Sequence, residues 1–461
     1  MSQPLNLGPG EEDPLAVVLK SRDQLLALFA DGARPKDRML MGIEHEMFGH
    51  DRNLNQPVSY EGASSISSLF LHMAKHSDPS DPFVPVMEGQ NIVALMSKKG
   101  VIALEPGGQI EIAARPEFGL IKLNDAFMAI AKELYQRAFE LDIDLFAIGV
   151  HPIAQCSEMA RVKKKRYKIM HDRMLEQKGL GSDMMNRTCS IQLNIDYSNE
   201  QDMVLKARLA ASLMPFLALL CSSSAFLEGK PTKRVLERAH IWQKTDTERT
   251  GFPSIIFDSD FGYESWINYA LKVPMYFIRR GSDYIDVRGA SFNEFIDHGL
   301  KGEKATVRDF SDHLTTIFSE VRLKPFLELR SCDSLPAVYV VALSSVIWGL
   351  FYDDQAQSKA HALVKDMTHQ ELEMLYRDIT AHGRKAQFRG KPIFSLCALL
   401  LSYANDALLR INAAHYLEPF NHLIENDITV AELLQKQFGF IDKNNLPSLI
   451  KKLSLMANPL V

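Results

Sequence analysis

The chain has 461 residues, 46% of them hydrophobic and 24% charged, with a formal net charge of -5. That length suits one large domain or two to three ordinary ones, and the composition is that of an ordinary globular protein. The acidic balance argues against general nucleic-acid binding, and no stretch of about 18 uncharged apolar residues predicts a membrane span. Five cysteines (Cys156, Cys189, Cys221, Cys332, Cys397) are odd in number and form no CxxC pair. They predict buried thiols in a reducing compartment, the cytoplasm by default, and support neither a zinc site nor a disulfide framework. The segment Met1 to Asp13 is polar and acidic, without the basic and apolar regions of a signal peptide.

Residues 1–20 are expected to form a flexible tail. Ser21 to Ala30 carries leucines at helical spacing, and Arg38 to Phe48 follows as a strand. Asp51 to Gly62, rich in Asn, Pro, Ser and Gly, is a loop, and a helix is predicted from Ile66 to Lys75. Short strands follow at Phe83–Met87, Asn91–Leu95, Val101–Leu104 and Gln109–Ala113, punctuated by Gly89, Lys98–Gly100 and Pro106-Gly107-Gly108. Leu120 to Leu141 is a long amphipathic helix, and Leu145 to Val150 another strand. Thr188 to Asp196 alternates, with Cys189, Ile191, Leu193 and Ile195 on one face and Ser190, Gln192, Asn194 and Asp196 on the other. Met203 to Cys221 is an apolar helix.

Beyond Pro336 only helices are predicted: Ala337–Tyr352, Ala356–Val364, Thr368–Thr380, Phe394–Ala413 and Val430–Phe438. The expected class is therefore α+β. A catalytic core over residues 21–335 would carry an antiparallel sheet with helices on one face, and residues 336–461 would form a helical part packed on it.

Three strand-like runs carry carboxylates among apolar residues: Gly42-Ile43-Glu44-His45-Glu46, Leu104-Glu105-Pro106-Gly107-Gly108-Gln109-Ile110-Glu111-Ile112 and Glu328-Leu329-Arg330. On a strand Glu44 and Glu46 share one face, with His45 on the other, and Glu328 shares a face with Arg330. Glu105 and Glu111 flank a Pro-Gly-Gly turn and approach from two directions. Any one of these glutamates alone reads as a surface residue. Together, in apolar surroundings, like charges need a neutralising cation, and the pattern points to a divalent metal, magnesium with a nucleotide phosphate.

Arg330 suits a substrate carboxylate, because guanidinium binds carboxylate or phosphate bidentately; a salt bridge to Glu328 is the plain alternative. Lys163-Lys164-Lys165-Arg166-Tyr167 is either a solvated helix face or a reach toward anionic phosphate or substrate. Gln192 and Asn194 either contact nucleotide or simply pack in the sheet. Gly229-Lys230-Pro231, His240-Ile241-Trp242 and Asp246 to Gly251 fall in one long stretch with little regular pattern, which predicts a functional loop. Nucleotide P-loop, dinucleotide, zincin and serine-hydrolase motifs are all missing from suitable contexts.

In these residues the sequence resembles the plant-type glutamate–cysteine ligases shared by plants and many proteobacteria. The resemblance rests on Gly42-Ile43-Glu44-His45-Glu46, Met87-Glu88-Gly89, Leu104 to Gln109, Arg166-Tyr167, Asp183-Met184-Met185, Arg187-Thr188-Cys189, Glu228 to Pro231, His240-Ile241-Trp242, Arg249-Thr250-Gly251, Val273 to Phe277, His313 to Phe318 and Glu320 to Lys324, spread over roughly Arg38 to Asp354. It implies a glutamine-synthetase-like antiparallel sheet forming a funnel around magnesium and ATP. It further implies that γ-glutamyl phosphate forms from glutamate and ATP, and that the amine of cysteine displaces the phosphate to give γ-glutamylcysteine, the first step of glutathione synthesis. Carried over by motif, Glu44, Glu46, Glu105, Glu111 and Glu328 would hold metal. Gln192, Asn194 and Lys164 would meet the nucleotide. Arg166, Tyr167, Lys230, His240 and Trp242 would bind substrate, and Arg187, Arg249 and Arg330 would act on the transferred group.

The cysteine pairs of the plant enzymes fall on Phe127 and Val341, and on Val287 and a segment near Lys301, so those regulatory bridges are not expected. Two other readings compete: a same-fold ligase using another amine or acid, and a silent regulatory relative. Retention of all five carboxylates speaks against the second. The expected partners are glutamate, cysteine and ATP, without nucleic acid or membrane, for a monomer or weak homodimer.

Overall fold

The computed structural model describes residues 13–460. Its frame is one antiparallel sheet whose strands come from segments far apart in the chain. In chain order these are β1 (Met41–Asp51), β2 (Gln56–Pro57), β3 (Val84–Glu88), β4 (Asn91–Met96), β5 (Gly100–Leu104), β6 (Ile110–Ala114), β7 (Ile143–Phe146) and β8 (Ser190–Ile195). Short pairs then join β9 (Phe226–Leu227) to β10 (Lys230–Pro231), β11 (Thr250–Gly251) to β14 (Phe318–Ser319), and β12 (Phe277–Arg280) to β13 (Asp283–Asp286). The sheet is completed by β15 (Val321–Leu323) and β16 (Leu327–Asp333), in the order β15-β16-β8-β1-β6-β5-β4-β3, with β2 and β7 also paired to β1.

The alternation seen in sequence decides the two faces. In β1, His45 turns to the helix-covered side, where its ring meets Phe127 edge-on and its Nε2 lies 3.1 Å from Ser334 Oγ. That side is covered by the helix Leu120–Glu140 against β6 and β7, by Ala337–Tyr352 against β1 and β8, and by Glu200–Leu220 against β16. Glu200–Leu220 is long and apolar enough to cross a membrane, but most of it is buried inside the protein. Phe127, Phe146, Phe216 and Tyr339 are fully buried here. Each such side chain contributes about 1.5–3 kcal/mol through removal from water.

The antiparallel sheet with helices on one face agrees with the expected α+β class. Three points differ from the sequence reading. Of the expected tail, residues 1–12 lie outside the described residues, while Leu19 is buried and its N–H donates to Ala305 O. The C-terminal third is not purely helical, since a hairpin pairs β17 (Gln387–Phe388) with β18 (Lys391–Pro392) around Arg389 and Gly390, both at positive φ. The irregular stretch from 229 to 251 is in fact the β9–β10 hairpin, a helix over Glu237–Gln243 and β11. Its helix buries Glu237, Arg238, Ala239 and Ile241, so the stretch is packed structure and not a long loop.

The chain end is tied to the sheet as well. Ala147 N–H donates to Leu453 O, and Leu455 N–H donates to Leu145 O.

Candidate active site

Opposite the helix-covered face, the sheet carries its charges into one chamber of about 110 Å³. Glu44 and Glu46 point into it from β1, Glu111 from β6 and Glu105 from the β5–β6 turn. Register explains the convergence: Glu46 lies directly across from Glu111, and Glu44 across from Gln192 on β8. The turn holds itself shut, with Glu105 N–H donating to Gln109 O and Gly108 N–H to Glu105 O. Gly107 is required there, since a Cβ would lie 2.2 Å from Asn186 O.

Glu46 accepts from Ser190 N–H at 2.6 Å and Gln192 Nε2 at 3.1 Å, and Glu44 accepts from Asn194 Nδ2 at 3.0 Å. Among the described residues Glu111 Oε1 is buried without a hydrogen-bond donor. Burial, and then the neighbouring Glu105 charge, push the Glu46 carboxyl up to about 7 against the pull of Arg238 and Arg330. Burial together with Glu44 and Glu105 raises Glu111 well above the usual carboxylate range. An orphaned carboxylate oxygen among mutually repelling carboxylates is the electrostatic signature of a cation site. Among the described residues no three His, Cys, Asp or Glu side chains already stand close enough to hold a metal by themselves. A cation here would also need ligand oxygens from a substrate.

Cations face the carboxylates across the chamber. Lys164, Arg166 and Tyr167 enter at the start of the helix Lys165–Glu176, and Arg322 and Arg330 come from β15 and β16. The basic run thus divides. Lys163 and Lys165 are exposed and ion-paired to Glu61 and Asp283, whereas Lys164 and Arg166 turn inward. Lys164 Nζ donates to Leu104 O at 2.7 Å, and burial lowers its ammonium to about 8 although Glu105 opposes this. Tyr167 donates to the same carbonyl at 2.7 Å. Arg166 lies over the Phe277 and Tyr167 rings, and its buried Nε has no acceptor. Such a guanidinium is poised for an anion.

Glu328 differs from the other four glutamates. It is fully buried, does not line the chamber, and among the described residues meets Lys324 Nζ at 2.8 Å, Arg330 Nη1 at 3.0 Å and Arg322. Burial works to raise its carboxyl, but Arg322, Lys324 and Arg330 hold it well below the usual carboxylate range. Its placement differs from that of the other four: in this structure its carboxylate faces the resident cations of β15, β16 and the turn between them. Arg330 Nη1 also donates to Gln192 Oε1, so Arg330 projects into the chamber from a fixed mount.

Several expected site residues are not brought to the chamber. Arg249 is fully buried, paired to Asp246 at 2.9 Å, donating to Thr316 O and Pro274 O, and stacked 3.9 Å from the Tyr276 ring centroid. All three of its guanidinium nitrogens are bonded inside the fold, away from the chamber. Arg187 pairs with Asp183 and Glu228, away from the chamber. Lys230 is exposed on β10, and His240 does not line the chamber. Trp242 stays one layer out, its ring 5.9 Å from that of Phe318, which does line the chamber. Asn194 lines a second cavity of about 350 Å³ that shares Glu44 with the chamber. That cavity is walled by Leu40, Val101, Ala113, Pro116, Leu314 and Phe326.

Sequence reasoning overlooked Arg322 and Lys324 as site residues, although they alternate in a strand-like run by the same rule that singled out Glu44 and Glu46. It also overlooked Thr315, Phe318 and Met170, which carry no local signal.

Comparison with known proteins follows this geometry. The profile of Glutamate-cysteine ligase family 2 matches residues 40–437. A chloroplastic glutamate–cysteine ligase of Medicago truncatula is 36% identical over 434 residues, covering 92% of this chain and 84% of the relative. The chloroplastic enzyme of Arabidopsis thaliana is 36% identical over 439 residues, covering 94% and 82%. Among solved structures, a glutamate–cysteine ligase of Francisella tularensis in complex with AMP superposes with a TM-score of 0.53 at 10% identity, covering 92% of this chain and 90% of that one. That last similarity establishes a shared fold.

Proposed function

The chain belongs to glutamate–cysteine ligase family 2, and on that premise we propose that its chamber joins the γ-carboxylate of L-glutamate to the amine of L-cysteine at the expense of ATP. The product is γ-glutamylcysteine, the first intermediate of glutathione synthesis. The observation that carries this reading is the meeting of four carboxylates with Lys164, Arg166, Arg322 and Arg330 in one chamber. A metal–phosphate and an amino-acid carboxylate together are the ligand that such a mixed set fits.

The orphaned Glu111 oxygen and the crowding of acidic groups fit magnesium shared between carboxylates drawn from Glu44, Glu46, Glu105 and Glu111 and the oxygens of a bound substrate. Bound there, magnesium would draw charge from the phosphoryl oxygens. The protein's own part is positioning. Arg330, mounted on Glu328 and Gln192, offers a guanidinium to the oxygens of the transferred group or of the glutamate, and Arg166 offers its unpartnered edge. Lys164 supplies a further positive charge to the chamber lining. Such donors stabilise developing negative charge without a covalent enzyme intermediate. The apolar cavity beyond Glu44, with Asn194 and Lys324 on its wall, suits the nucleotide base. The five cysteines are all free thiols, which supports a reducing, cytoplasmic setting.

The test is phosphate release from ATP with magnesium and glutamate, adding cysteine and then a panel of other amines, with the product identified by mass. Cysteine-dependent formation of γ-glutamylcysteine is expected, together with loss of turnover in chelator and recovery on adding magnesium. Turnover with another amine alone would replace the acceptor in this reading.

A further inference from the structure

Arg330 stands at an irregularity of the sheet. Strand β16 pairs with β8 through Leu329↔Leu193 and then Cys332↔Ile191, so Arg330 and Ser331 together oppose the single residue Gln192. This is a β-bulge, which re-aims a side chain and breaks the ladder locally. The carbonyls it frees are taken by Arg238, whose guanidinium donates to Arg330 O and Ser331 O, both at 3.2 Å. On the opposite edge Glu320 grips the bulge twice. Its backbone carbonyl accepts from Arg330 N–H at 3.0 Å, and its carboxylate accepts from Ser331 Oγ at 2.6 Å. The remaining carboxylate oxygen lies 3.4 Å from the hydroxyl of Tyr376, on the helix His369–His382 of the C-terminal part. Glu320 is buried and does not line the chamber. A buried carboxylate is retained at a cost, so its role is sought in what it holds.

We infer that Glu320 is a positioning residue for Arg330: it fixes the bulge through Ser331 and thereby sets where the Arg330 guanidinium meets the anionic substrate. This rests on the reading of the chamber as the ligase site. It also gives the C-terminal helices a function, because Tyr376 carries their packing to the bulge.

The test compares Glu320→Ala and Ser331→Ala, which cut the same bond from its two ends, each alone and combined with Arg330→Lys. Ser331→Ala removes one hydroxyl and keeps the test decisive if Glu320→Ala fails to fold. Acting through Arg330, each variant should lower kcat/KM for glutamate, by up to the order of 10²-fold for misplacement on the ångström scale. In the Arg330→Lys background the same change should cost almost nothing further, a non-additivity that general loosening of the fold does not produce. Equal losses in both backgrounds, or wild-type kinetics for a folded Ser331→Ala, would overturn the inference.

A crystal structure of Ser331→Ala judges it independently of turnover. Arg330 should have left Gln192 and Glu328, and an unmoved Arg330 refutes the role. If the wild-type protein does not ligate glutamate, the functional reading fails, while that crystallographic outcome still decides the positioning claim.

Discussion

Replacing Glu328 by glutamine removes one charge from the most heavily paired carboxylate near the chamber. The wild-type group is fully buried and meets Lys324 at 2.8 Å, Arg330 at 3.0 Å and Arg322. Glutamine keeps one accepting oxygen but turns an NH₂ toward a cation, so about two charge-assisted contacts are lost. At about 1.5–3 kcal/mol for each such contact the loss is about 3–6 kcal/mol. That overlaps the roughly 3–5 kcal/mol for breaking a buried pair by removing one partner. The assay is urea unfolding with chelator present and no nucleotide, so that bound ligands contribute nothing.

The pH dependence supplies a second check. Because the folded carboxyl sits below its ordinary value of 4.5, its stabilising charge is fully present above that value and is lost as pH falls through the depressed folded value. The gap between wild type and Glu328→Gln should therefore be constant near neutrality and narrow below about pH 4.5. The refuting result is a variant that unfolds within about 1 kcal/mol of wild type at pH 7 yet has lost turnover. The carboxylate would then serve a bound ligand and not the resident arginines.

Arg330→Lys, which keeps the charge but loses the fork, should leave the fold intact and lower kcat/KM by about 10²-fold, read in the phosphate-release assay. Arg249→Lys should do the reverse. With its pair to Asp246 and its carbonyl bonds weakened, urea unfolding should register a loss of up to about 3–5 kcal/mol, while the KM values of the folded fraction stay unchanged. Gly107→Ala forces a Cβ to 2.2 Å from Asn186 O. It should cost about 1–3 kcal/mol and depress turnover further, because the displaced turn carries Glu105. A Gly107→Ala enzyme of normal activity would show that Glu105 is not needed where it stands.

Much of this protein is legible locally. Carboxylates at i and i+2 in an apolar strand must share a face, and charges buried side by side demand compensation, so Glu44, Glu46, Glu105 and Glu111 could be picked out before any coordinates. The antiparallel sheet and the amphipathic helix over Leu120–Glu140 follow from periodicity in the same way, and the apolar run Ala337–Tyr352 reads as a buried helix. Arginines carry no such signal. Arg330 enters the chamber, Arg249 is consumed by Asp246 and by the carbonyls of Thr316 and Pro274, and Arg187 is consumed by Asp183 and Glu228. Their sequence contexts do not separate these roles, because beside near neighbours such as Asp246 and Asp183 each side chain takes partners tens of residues away, Glu228 for Arg187 and Pro274 and Thr316 for Arg249. Glu328 shows the same limit: strand alternation puts it beside Arg330, but the pairing of β15 with β16 sets Arg322 directly across from it, and the turn between them brings Lys324. Backbone periodicity is a local property and is written in the chain; charge neutralisation is a property of whatever folding brings within about 4 Å, and the tertiary structure alone decides it.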